Sequence, residues 1–332
     1  MLTTSPTMRR RLRFSPVWLG VVATAVALPA PAQQFPTKPV RLIVPYAAGG
    51  GNDTLSRAIG VKFVEATGQP LVVDNRPGSG GVIGSDLVAK SAPDGYTLLM
   101  GSSELAVSAS LIRNLPYDPQ HDFTPVARVG ETSYMLVVHP ALAVKSVADL
   151  VALAKARPGQ LNYASGGAGS PLNLAAELFK SMTATNLVAV QYKGGVPAIT
   201  ATLAGETQVV FGSVTTTLQF ARSGRLRALA VTSARRSVLM PELPTIAESG
   251  VPGYELANWY GVLAPARISP ALVTRLNTLL VKIMALPDLR ERVLQNQGIE
   301  ALTQTPEQFS AAFKSEVEKW RRLVQETGLR VE

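Results

Sequence analysis

Several stretches of this sequence carry the residue types that receive an anion. They are Tyr46-Ala47-Ala48-Gly49-Gly50-Gly51-Asn52-Asp53-Thr54, Ser165-Gly166-Gly167-Ala168-Gly169-Ser170, Tyr192-Lys193-Gly194 and Gly212-Ser213, with Ser102 after another apolar run. Glycine has no Cβ, so consecutive amides can turn toward one point at low steric cost. A helix that follows adds N–H groups without intrahelical partners and the positive end of its dipole. The first stretch has this setting: Val40, Leu42, Ile43 and Val44 precede it, and Leu55, Ile59 and Phe63 follow at helical spacing. A tight strand-to-helix turn with Asp53 as N-cap explains the same residues equally well. In the anion reading a Cβ at Gly50 or Gly169 intrudes on the approach or strains the backbone, whereas Lys193 is a solvated loop charge.

Other chemistries find no support in the residue types. The dinucleotide fingerprint fails twice, because Thr54 and Ile83 stand where its third glycine belongs. There are two histidines, His121 in a turn and His139 before a proline, and no cysteine, so no H-E-x-x-H and no thiolate site exists. Neither Ser79 nor Ser170 sits in G-x-S-x-G. No catalytic residue, metal or cofactor is expected.

The chain has 332 residues, 46% of them hydrophobic, enough for two cored domains. Arg9, Arg10, Arg11 and Arg13 precede the apolar run Val17–Leu28 and an A-x-A-like ending at Pro29-Ala30-Pro31-Ala32. This order reads as a signal peptide over 1–32, with Met1 or Met8 as its start, too short to span a bilayer. Those four arginines, with no acid among them, supply nearly half of the +9 formal charge. No basic cluster of the nucleic-acid type remains beyond them. An exported, cysteine-free chain of this size fits the periplasm, free and soluble.

The elements that must position the loops alternate strand and helix, which indicates largely parallel sheets with helices on both faces. Leu71–Val73 and Tyr96–Met100 read as further strands, with a helix from near Val82, where Gly84 allows close packing. Val126–Val138 is long enough to leave one sheet and enter another. Ser146 to Asp149 looks like a capping box. Strand–loop–helix units then recur around Ser165 and Tyr192, a strand at Thr207–Phe211 ends at Gly212-Ser213, and strands follow at Leu226–Val231 and Leu256–Leu263. The tail is helical over Ser269–Met284, Pro287–Gln297 and Pro306–Thr327, the last with Phe309, Phe313, Val317 and Trp320 on one face. It is expected to cover the first sheet. The expected boundaries are 33–135 for the first part of domain 1, 136–254 for domain 2, and 255–332 completing domain 1, with two crossings that favour a hinge.

The segments PTKPVRLIVPYAAGGGNDTLSR, NRPGSGGVIGSDLVAKSAPDGYTLLMG, LPYDPQHDFTPVA, QYKGG, AVTSARRSVLMPELPTIAESGVPGYE and NWYGVLAPA together resemble the Bug receptors, the periplasmic solute-binding proteins of tripartite tricarboxylate transporters. The resemblance implies a two-domain Venus flytrap that holds a small carboxylate by main-chain amides, hydroxyls and ordered waters. It places the ligand at Tyr46 to Thr54, Ser165 to Ser170 and Tyr192 to Gly195. It implies delivery to the membrane components of such a transporter; a monomer is expected. Gln191, Asn173, Gly212 and Ser102-Ser103-Glu104 depart from the pattern, where relatives commonly carry proline, histidine, aspartate, and asparagine or threonine. Glu104 reads either as a partner for a cationic amino group or as a solvated acid after a strand. Aspartate, glutamate, a di- or tricarboxylate and an aromatic acid all stay open as ligands. Alternatives are a carboxylate-processing enzyme, recognised by turnover, and a solute-loaded partner of a sensor kinase ectodomain, recognised by binding to it.

Overall fold

The computed structural model describes residues 1–3 and 35–328 except 113 and 168, with only the backbone of 295–297 and 327. The expected leader therefore lies outside the described residues beyond its first three. Every element belongs to the compact unit Pro36–Glu332.

Three strand–helix units open this unit. β1 (Val40–Val44) leads to α1 (Gly51–Thr67), and β2 (Leu71–Asn75) to a 3-10 turn (Ser79–Gly81) and α2 (Val82–Ala89). β3 (Thr97–Ser102) leads to α3 (Ser103–Leu111). β1 lies between β2 and β3 and parallel to both, with Leu42 opposite Val73 and Leu98. Parallel neighbours require a crossover connection, which the helices supply. Gly84 lets α2 sit on the end of β1, since a Cβ there would stand 2.8 Å from the Pro45 backbone.

β4 (Phe123–Val138) joins the two halves, and its near-continuous burial reflects layers on both sides. Up to Ser133 it pairs antiparallel with β9 (Ala257–Pro265); from Tyr134 it pairs with β7 (Val209–Ser213) and β8 (Arg227–Val231). Irregularities at Pro125/Ala127 and Arg128/Gly130 bend its first part. Beside the change of partners, buried Arg128 donates to Glu131 at 2.6 Å, and Arg235 reaches the other carboxylate oxygen at 3.3 Å.

The second half repeats the first. After α4 (Val147–Ala156) come β5 (Asn162–Ser165), α5 (Pro171–Thr183), β6 (Val188–Gln191), α6 (Gly195–Leu203) and, between β7 and β8, α7 (Val214–Arg222). β5 lies between β6 and β7, parallel to both, so the full order is β2-β1-β3-β9-β4-β7-β5-β6, with β8 also beside β4. Parallel units thus occupy the outer parts and antiparallel crossing strands the middle. α3 and α7 were not expected. Thr215 and Thr216 lower the helix propensity of α7, which forms because Thr217 and Leu218 are buried beneath it.

α8 (Pro270–Met284) packs on β4 and α1, α9 (Pro287–Gln297) on α1, and α10 (Pro306–Thr327) on α3 and β4. Trp259 meets Phe309 and Phe313 edge-on, at centroid distances of 5.2 and 5.8 Å. Each such buried ring contributes about 1.5–3 kcal/mol. Phe309 gets its place because Gly261 has no side chain to occupy it.

Candidate functional site

The loop after β1 is assembled from its own main chain. Gly49 lies at φ +89, the left-handed region that glycine enters freely. Gly50 is the N-cap of α1 with φ −76 and ψ 173, a conformation open to any residue, and no side chain caps the helix. The expectation of backbone strain at Gly50 is therefore corrected: the nearest atom to a Cβ there is the Ala47 carbonyl oxygen at 3.8 Å. Gly51 is required for room instead, because a Cβ would lie 2.6 Å from the Tyr260 hydroxyl.

Asp53 is not the N-cap. It sits in the first turn, where its carboxylate accepts from the Gly49 amide at 2.9 Å and pairs with Arg57 at 2.9 Å. Burial pushes its carboxyl up, but the Arg57 and Gly49 hydrogen bonds outweigh burial and hold it below the ordinary range. Asn52 turns inward and donates to the Met100 carbonyl at 3.3 Å, tying α1 to β3. Thr54 closes the first helical bond onto Gly50 at 2.9 Å, while Ala48 is exposed. The free donors of this loop are then the amides at the uncapped opening of α1.

Beside that opening stands a group of hydroxyls around one acid. The Tyr46 hydroxyl lies 2.8 Å from Ser102 Oγ and donates to Glu104 at 3.5 Å, and Ser102 Oγ also donates to Glu104. Gly81, at φ +95, leaves room for the Tyr46 ring. Asn258, on β9, accepts from Ser103 Oγ at 2.7 Å at the start of α3. Tyr260 opposes Ser102 in the β3–β9 ladder. Burial first, and then the Glu104 charge, push the phenols of Tyr46 and Tyr134 well up; burial pushes Tyr260 up as well. All three stay protonated near neutrality. Glu104 is half-buried, so the reading of a fully solvated acid is corrected.

In the second half, much of the glycine loop is already satisfied. Ser165, fully buried, accepts from the Gly167 amide at 3.2 Å. Asn173 Oδ1 accepts from Gly169 at 3.1 Å, and Ser170 Oγ caps α5 by accepting from the Asn173 amide. Asn173 continues inward to the Tyr163 hydroxyl at 2.8 Å, which donates to Glu177 at 2.6 Å. Burial, followed by the Glu177 hydrogen bond, pushes the Tyr163 phenol up. The next loop is zipped to this one: Tyr192 N donates to Ser165 O at 2.9 Å and Gly194 N to Gly166 O at 3.2 Å. A Cβ on Gly166 would meet Gly194 and Gly195 at 3.3 Å, so this approach needs glycine. The Tyr192 hydroxyl turns to Glu206, Lys193 is exposed, and Ser213 Oγ pairs with Thr215 at 2.7 Å.

α4, α5, α8 and α10 each have a Ser or Thr side chain on their first turn. α1, α2, α3, α6 and α7, which follow β1, β2, β3, β6 and β7, have no cap from their N-cap side chain, and neither has α9 in the tail; at α3 the first amide donates to Asn258 instead. An uncapped opening leaves amides for a ligand. A gap of about 20 Å³, room for roughly one water, is lined by Ser103, Glu104 and Tyr134 on one side and Gly169, Pro171 and Leu174 on the other. The structure thus brings Gly169 across from Glu104. At Gly212 the Thr217 methyl fills the space a side chain would need.

Tyr134, Asn258 and Tyr260 are absent from the sequence-derived set. The signal for two of them is the i, i+2 spacing of Asn258 and Tyr260, which puts both on one face of β9. No group of three or more potential metal ligands occurs among the described residues, and none of their helices is long and apolar enough to cross a membrane.

The profile of the family described as "Tripartite tricarboxylate transporter family receptor" matches residues 55–329. Protein BugT of Bordetella pertussis is 38% identical over 313 residues, covering 93% of this chain and 96% of that protein. An R. palustris protein, Rpa4515, solved with adipate, is 36% identical with a TM-score of 0.71, covering 90% of this chain and all of that one. A TctC solute-binding protein from Polaromonas, solved with no ligand, is 27% identical with a TM-score of 0.82, covering 88% and 99%.

Proposed function

The chain belongs to the tripartite tricarboxylate transporter receptor family, and we propose that it captures a small carboxylate in the periplasm for the membrane components of such a transporter. The observation that carries this reading is the set of uncapped helix openings at strand ends in both halves. Main-chain donors and dipoles stabilise an anion there without a buried cation having to be desolvated beside it. The carboxylate lies between the uncapped opening of α1 at Gly50 to Asp53 and the uncapped opening of α6 at Gly194 and Gly195, which the neighbouring loop Gly166 to Ser170 holds in place with amides of its own that are largely taken. The hydroxyls of Tyr46 and Ser102 are directed at Glu104 and hold it beside this opening. Adipate in the R. palustris relative supports a carboxylate as the ligand class.

Two domains, 33–135 with 255–332 and 136–254, close on the ligand. The change of β4 partners at Ser133/Tyr134 supports a hinge there. The family is one of receptors, and the chain binds its solute without converting it. Native mass spectrometry of protein purified without refolding tests the reading. The expected result is a small acid that leaves on denaturation; a chain that carries none and binds no acid on titration would overturn it.

A further inference from the structure

Glu104 is a negative charge placed where an anion is expected to bind. It occupies the first turn of α3, a position that suits an acid. Its carboxylate takes hydrogen bonds from Ser102 and Tyr46, both neutral groups. Among the described residues no lysine, arginine or histidine pairs with it. Asp53, Glu131 and Glu177 lean on cations, Arg57, Arg128 and Lys180, whereas Glu316 and Glu300 share with Glu104 a setting of neutral donors; of these three only Glu104 lines the gap between the halves. Glu104 also lines the gap against Gly169 and Pro171 of the opposite half, so a solute held between the halves meets it. An unpaired carboxylate at that place repels a second anion and attracts a positive charge.

We propose that Glu104 determines specificity, and that the solute bears a protonated nitrogen beside its carboxylate, the carboxylate on the main-chain donors and the nitrogen on Glu104. This rests on the carboxylate-receptor reading above. A zwitterion also resolves the electrostatics of the cleft. Its positive end offsets Glu104, Ser102 and Tyr46 keep the acid oriented, and its negative end keeps the uncapped helix openings.

Matched acids that differ only by an amino group separate the two readings. Calorimetry near pH 7 on the full mature chain compares L-aspartate with succinate, L-glutamate with glutarate, and 4-aminobutyrate with butyrate. At least one amino acid should bind about tenfold or more tightly than its partner, the range of a charge-assisted hydrogen bond. In Glu104→Gln, which keeps the shape and an acceptor for both hydroxyls, the preference should fall below about threefold. Unchanged melting of the variant establishes that it is folded. Acids binding as well without the amino group, or a preference that survives Glu104→Gln, would overturn this inference and leave the receptor reading standing. Loss of affinity for both members of a pair alike would assign Glu104 a structural role and also overturn it. No binding by any acid would remove the receptor reading and this inference with it.

Discussion

The three consecutive glycines of the first loop should differ sharply in what they tolerate, and the differences can be worked from the structure. At Gly51 a Cβ would sit 2.6 Å from the Tyr260 hydroxyl oxygen and 3.2 Å from the ring carbon bearing it. Tyr260 is buried, so its ring has little room to swing aside. Overpacking of this kind costs about 1–3 kcal/mol, and exchanging glycine for alanine in a helix returns up to about 0.5–1 kcal/mol. Gly51→Ala should therefore lose roughly 0.5–2 kcal/mol. Gly49→Ala meets no atom within 4 Å but must hold φ +89, costing about 1–2 kcal/mol of backbone strain. Gly50→Ala has neither problem and should stay within about 0.5 kcal/mol of the parent. Urea unfolding of the three variants, each with and without Tyr260→Phe, separates the causes. Tyr260→Phe should relieve Gly51→Ala but not Gly49→Ala, with a coupling of about 0.5 kcal/mol or more. If Gly50→Ala were the most costly of the three, or if Tyr260→Phe left the Gly51→Ala loss unchanged, the account of this loop would be wrong.

Three further outcomes follow from other parts of the molecule. Glu131→Ala leaves Arg128 buried without its partner and should cost about 3–5 kcal/mol in denaturant unfolding; Glu131→Gln should cost less, because the hydrogen bond survives. Asp53 has a folded-state carboxyl pKa below its unfolded value, so its stabilisation is present above the unfolded pKa near about 3.9 and is lost as pH falls through the folded pKa. Asp53→Asn should accordingly flatten the acid limb of a stability–pH curve, and an unchanged limb would show that Asp53 does not drive it. Small-angle scattering should show a smaller radius of gyration on saturation with a bound acid; an unchanged radius would argue against closure of the two halves.

Much of the architecture is written in local patterns. The length of the run ending at Val138 foretells a strand that serves two sheets, because few single sheets need one so long, and β4 does change partners at Ser133/Tyr134. Phe309, Phe313, Val317 and Trp320 announce the buried face of α10, and all four are buried. The glycine loops are equally visible, since only glycine combines freedom in φ with room for close approach. Their hydrogen bonding is less so. Whether Asp53 caps α1 or clamps Gly49 from within its first turn depends on which residue begins the helix, and a shift of a few residues exchanges the roles. Ser170 capping α5, which consumes donors that an anion would use, depends on the same detail. Tyr134, Asn258 and Tyr260 reach the neighbourhood of Glu104 through long-range strand register, which no local pattern encodes. The withdrawal of Glu104 from solvent is invisible for the same reason.

Calorimetry of Gly50→Val and Lys193→Met with the acid that co-purifies decides whether main-chain donors or a lysine hold the carboxylate. Gly50 sits in a conformation valine can adopt, with open space around it, so the variant should fold and yet block the opening of α1. Lys193 is exposed. Folded Gly50→Val should lose binding while Lys193→Met keeps its affinity within a few-fold, about 1 kcal/mol. Normal binding by Gly50→Val together with loss of all affinity in Lys193→Met would contradict the main-chain clasp and put a side-chain ion pair in its place.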